Sequence, residues 1–426
     1  MNFNMLDFIW TFNRLVILFF SLFYFYQIVY IVFALFAKLK KNKNNIKNRR
    51  YAVMIAARNE SLVIAELIRS IKAQDYPSEL IDIYVIADNC TDNTAQIARD
   101  EGANVIVRFN DELIGKGYAL DYAFTKLKEQ GIRGKYDGFF VFDADNVLDS
   151  NYISEMNKVF CDKYVAVTSY RNSKNFGDSW LSSSYSLWFL REARYLNKPR
   201  MLLNTSCAIS GTGFLLRSDI VERNDGWKFF LLTEDIQFNA QAVLNNEQIG
   251  YCEDAIFYDE QPKTFKQSWN QRMRWVRGTY QVLARYGTKL FAAMFRKKPF
   301  AKFDMLMAMA PAMFITLISV VVNLIFLLLG VFEIFTDTGF IRLTSQSLFN
   351  TLLSFYTVFA ATSLLTLITE WKRIKAPVIK KILSVFTFPF FVFTYIPISI
   401  VALFKKVEWS PIKHTVVKSA EDFRED

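Results

Sequence analysis

The chain is poor in the residues that bind zinc, form disulfides or assist a catalytic nucleophile. It has one histidine, His414, and four scattered cysteines, Cys90, Cys161, Cys207 and Cys252. No C-x-x-C pair and no histidine cluster occurs, so neither a zinc site nor a disulfide framework is expected, as suits a reducing cytosol. A Ser–His or Cys–His pair would require His414, which lies far along the C-terminal tail. Carboxylates are therefore expected to carry the acid and base chemistry.

The sequence also lacks internal repeats and low-complexity linkers, but it has long apolar runs. Hydrophobic residues make up 52% of the 426 residues and the net charge is +10, which suits a soluble domain tethered to a membrane. Residues 15–37 carry no charge and are long enough to cross a hydrocarbon core of about 30 Å. Because this run is long and aromatic and its N-terminal flank is nearly uncharged, residues 1–37 are expected to form a retained anchor rather than a cleaved signal peptide.

A basic stretch directly after this run indicates the orientation. Residues 38–50 contain Lys38, Lys40, Lys41, Lys43, Lys47, Arg49 and Arg50, whereas Arg14 is the only basic residue before the run. The positive-inside rule then predicts a plasma-membrane protein whose following domain lies in the cytosol. Contact with anionic membrane lipid is a second expected use of the 38–50 linker, and no nucleic-acid partner is predicted.

Three more apolar segments, 305–332, 348–369 and 382–404, are long enough to span a membrane. An interfacial segment, 288–304, precedes them and a tail, 405–426, follows. Basic residues flank the last segment on both sides, and it contains Pro389 and Pro397. A plain crossing and a re-entrant hairpin both remain open for it.

Between the first and second apolar runs, strand-like and helix-like patterns alternate. Strands are predicted over 51–57, 83–87, 105–108, 139–142 and 165–169, with helices over 61–73 and 94–100 between them. This rhythm is typical of a mainly parallel α/β sheet covered by helices on both faces. Residues 51–287 are predicted to form one such domain.

Polar clusters follow four of these strands. They are Arg58-Asn59-Glu60, Asp88-Asn89, Gly115-Lys116-Gly117 and Asp143-Ala144-Asp145-Asn146. Polar turns explain any one cluster, but ligands of open parallel sheets bind beyond the carboxyl ends of the strands. The four together therefore predict a binding site at this edge.

Two acidic motifs carry candidate chemistry. Asp143 and Asp145 form a D-x-D directly after a buried-strand pattern, and two such carboxylates can hold Mg²⁺ or Mn²⁺ with positions left for phosphate oxygens. Thr233-Glu234-Asp235 opens a helical pattern. That motif could be only a helix start, with Thr233 as the N-cap, or it could supply a general base, for which we favour Asp235 supported by Glu234.

A Q-x-x-R-W run, residues 271–275, lies in an amphipathic stretch beside the membrane segments. On a helix Gln271, Arg274 and Trp275 stand at i, i+3 and i+4, so one face carries an amide, a guanidinium suited to pyrophosphate and a ring suited to a sugar. Anchoring of arginine and tryptophan in lipid headgroups is the alternative reading.

The motifs in this order resemble the membrane-embedded family 2 glycosyltransferases, which include cellulose, chitin, hyaluronan and poly-N-acetylglucosamine synthases. The resemblance covers about residues 51–279 and rests on Ala57-Arg58-Asn59-Glu60, Asp88, Asp143-Ala144-Asp145, Thr233-Glu234-Asp235 and Gln271 to Trp275. It implies a GT-A fold, a UDP-sugar donor and an inverting single displacement that forms β-linkages.

The resemblance also implies roles for single residues. The nucleotide sugar would bind to Ala57, Arg58, Glu60, Asp88, Lys116, Asp143 and Arg274, and a divalent Mg or Mn ion to Asp143 and Asp145. Asp235 would be the catalytic base with Glu234 beside it. The acceptor would lie near Thr233, Gly211, Gln271 and Trp275.

The expected function is extension of a β-glycan from UDP-glucose or UDP-N-acetylglucosamine, with export through the membrane segments. Transfer of a single sugar to a lipid or short glycan is the nearest alternative, and assembly with a second copy is left open. A transporter or an inactive scaffold is the alternative of another class. The apolar segments are nearly free of ionisable residues, which argues against a transporter.

Overall fold

The computed structural model describes residues 5–39, 46–160, 163–309, 311–331, 338–407 and 414–423. Within these ranges one sheet of eight strands runs in the order β3-β2-β1-β4-β7-β6-β8-β5. The strands are β1 Tyr51–Ala57, β2 Ile81–Asp88, β3 Asn104–Arg108, β4 Gly138–Asp143, β5 Val147–Leu148, β6 Ala166–Ser173, β7 Phe214–Arg217 and β8 Ile249–Asp259. The first four strands in chain order pair in parallel, as do β6 and β8, whereas β7 runs antiparallel between β4 and β6.

Fifteen α-helices lie in the described ranges. They are α1 Met5–Phe36, α2 Ile64–Lys72, α3 Thr94–Asp100, α4 Lys116–Glu129, α5 Tyr152–Val159, α6 Trp180–Glu192, α7 Lys198–Leu202, α8 Ser218–Arg223, α9 Glu234–Leu244, α10 Phe265–Ala293, α11 Pro299–Met309, α12 Pro311–Val331, α13 Thr338–Thr369, α14 Val378–Phe393 and α15 Tyr395–Phe404. A π-helical turn, Ala193–Asn197, joins α6 to α7.

The sheet is buried on both faces, which explains its continuous apolar strands. Along β1, Ala52 and Met54 pack into one core cluster and Val53 and Ile55 into the other, because successive side chains of a strand point to opposite faces. The clusters pack against α4 on one face and α2 on the other. The carboxyl ends of β1, β2 and β4 consequently meet at one edge.

Among the described residues, three helices are long and apolar enough to cross a membrane: Asp7–Phe36, Thr344–Thr369 and Val378–Phe404. The last joins α14 and α15 into one stretch of 27 residues, which favours a plain crossing over a hairpin. In the described part of the predicted segment 305–332 the chain is bent. It runs from α11 into α12, and Pro299–Met309 is bent by 42° from Phe314–Leu329, with Pro311 at the start of α12.

A buried ion pair joins the first helix to the rest of the molecule. Arg200 of α7 donates two hydrogen bonds, of 2.7 and 3.0 Å, to the carboxylate of Asp304 in α11. The hydroxyls of Tyr26 and Tyr30 in α1 donate to the same carboxylate at 3.0 Å each. Four donors therefore satisfy one buried carboxylate, and three helices meet there.

Candidate active site

A cavity of about 670 Å³ opens at the carboxyl ends of β1, β2 and β4 and continues among the membrane helices. Every site residue selected from the sequence lines it. These residues are Ala57, Arg58, Glu60, Asp88, Lys116, Asp143, Asp145, Gly211, Thr233, Glu234, Asp235, Gln271, Arg274 and Trp275. The fold thus brings together seven short stretches of the chain that are up to about two hundred residues apart in sequence.

At one end of the cavity, the turn after β1 and the end of β2 hold the first two clusters. Asn59 and Asn89 adopt left-handed backbone conformations, with φ of 60° and 52°, which asparagine tolerates. Arg108, the last residue of β3, donates to the carboxylate of Asp88, and both side chains are buried. Burial raises the pKa of Asp88, whereas the charge of Arg108 opposes that rise.

The D-x-D motif lies beside a lysine. Lys116 Nζ is 2.5 Å from Asp143 Oδ1 and 2.8 Å from the carbonyl oxygen of Gly211. Asp145 is buried, and its Oδ2 accepts a hydrogen bond of 2.9 Å from the backbone N–H of Glu260. Asp143 is more open, with 43% of its side chain exposed.

These carboxylates fit an open divalent-metal site rather than a closed one. No group of three or more His, Cys, Asp or Glu residues in the described ranges is placed to hold a metal by itself. Mg²⁺ and Mn²⁺ accept one or two carboxylates when waters and substrate phosphates fill the other positions. The donor set of Asp143 and Asp145 therefore matches a metal that arrives with a diphosphate.

His414 reaches this end of the cavity, although the sequence placed it far along the tail. Its Nδ1 lies 2.9 Å from Glu60 Oε2, and its Nε2 lies 3.9 Å from Asp145 Oδ2. Burial lowers the pKa of His414, but the charges of Asp145 and Glu60 outweigh that effect and raise it to about 10. For Asp145, the charges of His414 and Lys174 outweigh burial and lower the pKa.

The tail around His414 is fixed to the domain by contacts with β8 and the residue after it. Glu260 Oε2 accepts from the backbone N–H groups of Thr415 and Val416, each at 2.8 Å. Phe423 stacks on Tyr258 with ring centroids 4.0 Å apart. His414 is 354 residues from Glu60, so no local pattern predicts the contact. The only sequence feature that could have drawn attention to His414 is that the chain has no other histidine.

Thr233, Glu234 and Asp235 form the start of α9. Thr233 occupies the N-cap position and both acids lie in the first turn, as a helix start predicts, but the Thr233 side chain makes no capping hydrogen bond. Burial, and then the charge of Asp235, raise the pKa of Glu234 to about 7. Burial also raises the pKa of Asp235, whose Oδ1 accepts the backbone N–H of Ile236 at 2.8 Å.

The Q-x-x-R-W residues lie on α10 and divide between two faces. Gln271, Arg274 and Trp275 line the cavity, and the buried Gln271 Oε1 and Arg274 Nε have no hydrogen-bond partner in the described ranges. The Trp275 ring meets Tyr185 edge-on at 5.7 Å. Unpaired polar atoms at a cavity wall are suited to a ligand, because burial without a partner costs free energy.

Arg272 points away from the cavity and connects α10 to the last membrane stretch. Its Nη1 donates to the carbonyl oxygen of Phe391 at 2.9 Å and to Thr394 Oγ1 at 2.6 Å, at the junction of α14 and α15. Its guanidinium lies 4.3 Å from the ring centroid of Phe391 and 4.9 Å from that of Tyr395. No role for Arg272 was predicted from the sequence.

A family profile described as "Glycosyltransferase like family 2" matches residues 48–278. Among curated proteins, the chain is 27% identical over 54% of its length to a poly-beta-1,6-N-acetyl-D-glucosamine synthase of Staphylococcus epidermidis. It is 26% identical, also over 54% of its length, to a beta-monoglucosyldiacylglycerol synthase of Nostoc. The matches span 55% and 49% of these relatives, about half the length of each.

Among solved structures, a mannosyltransferase from Pyrobaculum calidifontis in complex with GDP-Man and Mn²⁺ has a similar fold. The TM-score is 0.55 at 15% identity, covering 92% of this chain and 99% of that one. With the family match, this confirms the predicted GT-A-like, mainly parallel α/β fold with membrane helices on both sides of it.

Proposed function

Since the chain belongs to glycosyltransferase family 2, we propose that it is an inverting enzyme that moves a sugar from a UDP-sugar to the end of a growing β-glycan. The observation that carries this proposal is one cavity lined by the D-x-D carboxylates, the Glu234–Asp235 pair and Arg274. Glucose and N-acetylglucosamine are the donor sugars that we favour.

The donor would bind across the ends of β1, β2 and β4. Ala57, Arg58, Glu60 and Asp88, which line this end of the cavity, would hold the uridine, and Lys116 and Arg274 would supply positive charge for the diphosphate. Asp143 and Asp145 would hold Mg²⁺ or Mn²⁺ beside it. When bound, that ion would offset the negative charge on the departing diphosphate.

Asp235 would accept the proton of the acceptor hydroxyl. As the hydroxyl oxygen bonds to the anomeric carbon, the bond from that carbon to the phosphate oxygen breaks and UDP leaves, so one displacement inverts the configuration. Asp235 Oδ1 accepts the backbone N–H of Ile236, while Oδ2 lies near Gly211, 3.8 Å from the position that a Cβ on that glycine would take. Glu234 would keep the local charge balanced by holding a proton.

The acceptor would rest against Trp275 and Gln271, with Thr233 and Gly211 nearby. Beyond them the cavity continues between membrane helices and is lined by Phe355, Phe359, Phe388 and Tyr395. Aromatic rings suit the apolar faces of sugars, which supports passage of a glycan. We place the domain on the cytosolic face of the plasma membrane, since Lys47, Arg49 and Arg50 directly precede β1.

A second candidate is transfer of one sugar to a lipid. Met305, Met309, Leu317 and Val392 also line the membrane end of the cavity, and such side chains suit an acyl chain. One relative is named as a glycolipid synthase and the other as a polysaccharide synthase. The mass of the product distinguishes the two candidates.

The test uses the full chain in lipid nanodiscs with a panel of UDP-sugars and Mg²⁺ or Mn²⁺. We expect UDP release with one of them, reduced at least about 100-fold in Asp235→Asn, since a general base contributes about that much. Asp100→Asn, on the exposed surface of α3, is the matched control and should keep full activity. Products of many sugar units support the glycan acceptor and single-sugar products the lipid acceptor, whereas unchanged turnover in Asp235→Asn would refute the assigned base.

A further inference from the structure

Glu192, at the end of α6, is a carboxylate in the cavity to which the proposed reaction gives no role. It lines the cavity, and no hydrogen bond or ion pair joins it to another side chain in the described ranges. Burial raises its pKa, the charges of Arg171 and Arg200 oppose that rise, and the charge of Asp235 adds to it. Glu192 and Asp235 both line the same cavity. Glu192 is half-buried, so its carboxylate reaches the cavity space and is free to accept hydrogen bonds from a ligand there.

The arginines around Glu192 do not serve as its partners. Arg171 binds Asp259, with its Nε 2.7 Å from Asp259 Oδ2, and Arg200 is held by Asp304. Arg191 donates to Gln27 at 3.2 Å. Two of the three positive charges are thus balanced by other carboxylates, which leaves little excess charge to attract an anionic ligand.

Aromatic rings on the same helix face complete the site. Trp188 precedes Glu192 by four residues, so the two side chains lie on one face of α6, and both line the cavity. Trp188 stacks on Tyr395, with ring centroids 5.9 Å apart. Trp275 meets Phe189 with ring centroids 6.2 Å apart. The helix changes to π-helical geometry directly after Glu192, a distortion frequent at functional sites.

We propose that Glu192 and Trp188 form a subsite for a neutral sugar of the acceptor, with the carboxylate accepting hydrogen bonds from sugar hydroxyls and the indole covering an apolar ring face. An aromatic plane next to a carboxylate recognises a pyranose, whereas an acidic sugar or a phosphate would be repelled by Glu192. The inference rests on the proposed function, and it assigns the class of acceptor rather than the donor. Glu192 is a binding residue here, not the base.

The first measurement is equilibrium binding of neutral oligosaccharides, of glucose and of N-acetylglucosamine, to the full chain in nanodiscs without donor. We expect Glu192→Ala to weaken binding at least about tenfold, because a hydrogen bond to a charged group is lost. Glu192→Gln should weaken it less but should improve binding of an oligosaccharide that contains uronic acid. Glu129→Gln, whose side chain is 55% exposed on α4, is the control and should bind like the wild type.

The second measurement separates acceptor from donor. With the active donor, Glu192→Ala should raise the acceptor KM at least tenfold, while the donor KM and UDP release to water stay within about twofold. Equal loss of UDP release and transfer would overturn the subsite, because it would place Glu192 in the catalytic machinery or the fold. Unchanged oligosaccharide binding in Glu192→Ala, or unchanged neutral-to-acidic selectivity in Glu192→Gln, would also overturn it.

If the wild type binds the sugars in a Glu192-dependent manner but no UDP-sugar is turned over, the proposed function fails and the subsite stands.

Discussion

Two adjacent carboxylates in a buried site, Glu234 and Asp235, make the folded protein sensitive to pH. Burial and the charge of Asp235 raise the pKa of Glu234 from 4.5 to about 7, so the folded chain binds this proton more tightly than the unfolded chain does. The resulting stabilisation is complete below pH 4.5 and is lost as the pH rises through about 7.

Glu234→Gln should remove this pH dependence. Without donor and divalent ion, the variant should be more stable than the wild type at pH 8, on the order of 2 kcal/mol, and should differ little at pH 4.5. Thermal unfolding midpoints measured across this range test the prediction, with Glu129→Gln as the exposed control. Parallel curves for Glu234→Gln and the wild type would contradict it.

Single residues also show what the sequence could not reveal. Asp143, Asp145 and Arg274 were identified from motifs whose spacing fixes which way the side chains face. Glu192 sits within an ordinary helical pattern, and His414 meets Glu60 only through the tertiary fold. Neither has a local signature, so only their positions in the folded chain bring them to the cavity.

At the scale of elements, the packing of α10 against the start of α9 sets the position of the proposed base. A Cβ added at Gly278 would lie 2.6 Å from Thr233 Cγ2 and 2.8 Å from Thr233 N. Because the second contact is with backbone, the Thr233–Asp235 turn would have to move.

Gly278→Ala should therefore lower UDP release about 10- to 100-fold, since a displacement of about 1 Å can cost that much. The helix itself should not suffer, because alanine favours helix more than glycine does. Gly134→Ala, where no atom of the described residues lies within 4 Å of the added carbon, is the control for activity and thermal stability. Full activity in Gly278→Ala would show that the turn does not depend on this contact.

The sequence predicted some elements well and missed others for physical reasons. Strand β1 was predicted with the bounds that the structure has, because an apolar run ends at a polar cluster. Strand β8 was missed because Glu253 and Asp254 interrupt its apolar pattern. The structure shows why the strand tolerates them: Ser169 pairs with Cys252 but Tyr170 pairs with Ile256, so the residues between bulge out of the ladder. Strand β7, four residues long and antiparallel, gives too short a pattern to recognise.

At the scale of the whole molecule, the Arg200–Asp304 pair connects the domain to its membrane helices. Removing one partner of a buried pair leaves an uncompensated charge, whereas replacing both with apolar residues is often tolerated. Arg200→Met should thus cost about 3–5 kcal/mol of stability, and Arg200→Met with Asp304→Leu should recover part of it, because the double variant also removes the acceptor of the Tyr26 and Tyr30 hydroxyls. Thermal unfolding in nanodiscs measures both, and Arg285→Met on the exposed face of α10 is the control. A double variant less stable than Arg200→Met would contradict a simple charge-pair role.

The layout of the whole molecule was predictable only in part. The four apolar segments were visible in the sequence, and the family resemblance supplied the fold between them. The bend between α11 and α12 was not predicted, because Pro311 by itself does not reveal how far the chain turns.

The open passage from the carboxylates to Met305, Met309 and Leu317 has a practical consequence for biochemistry. The alkyl tail of a detergent has the same chemistry as the side chains at that end, so a micelle can supply an occupant for the passage. Inhibition that rises with detergent concentration and is relieved by transfer into bilayers would then reflect competition within the protein rather than denaturation.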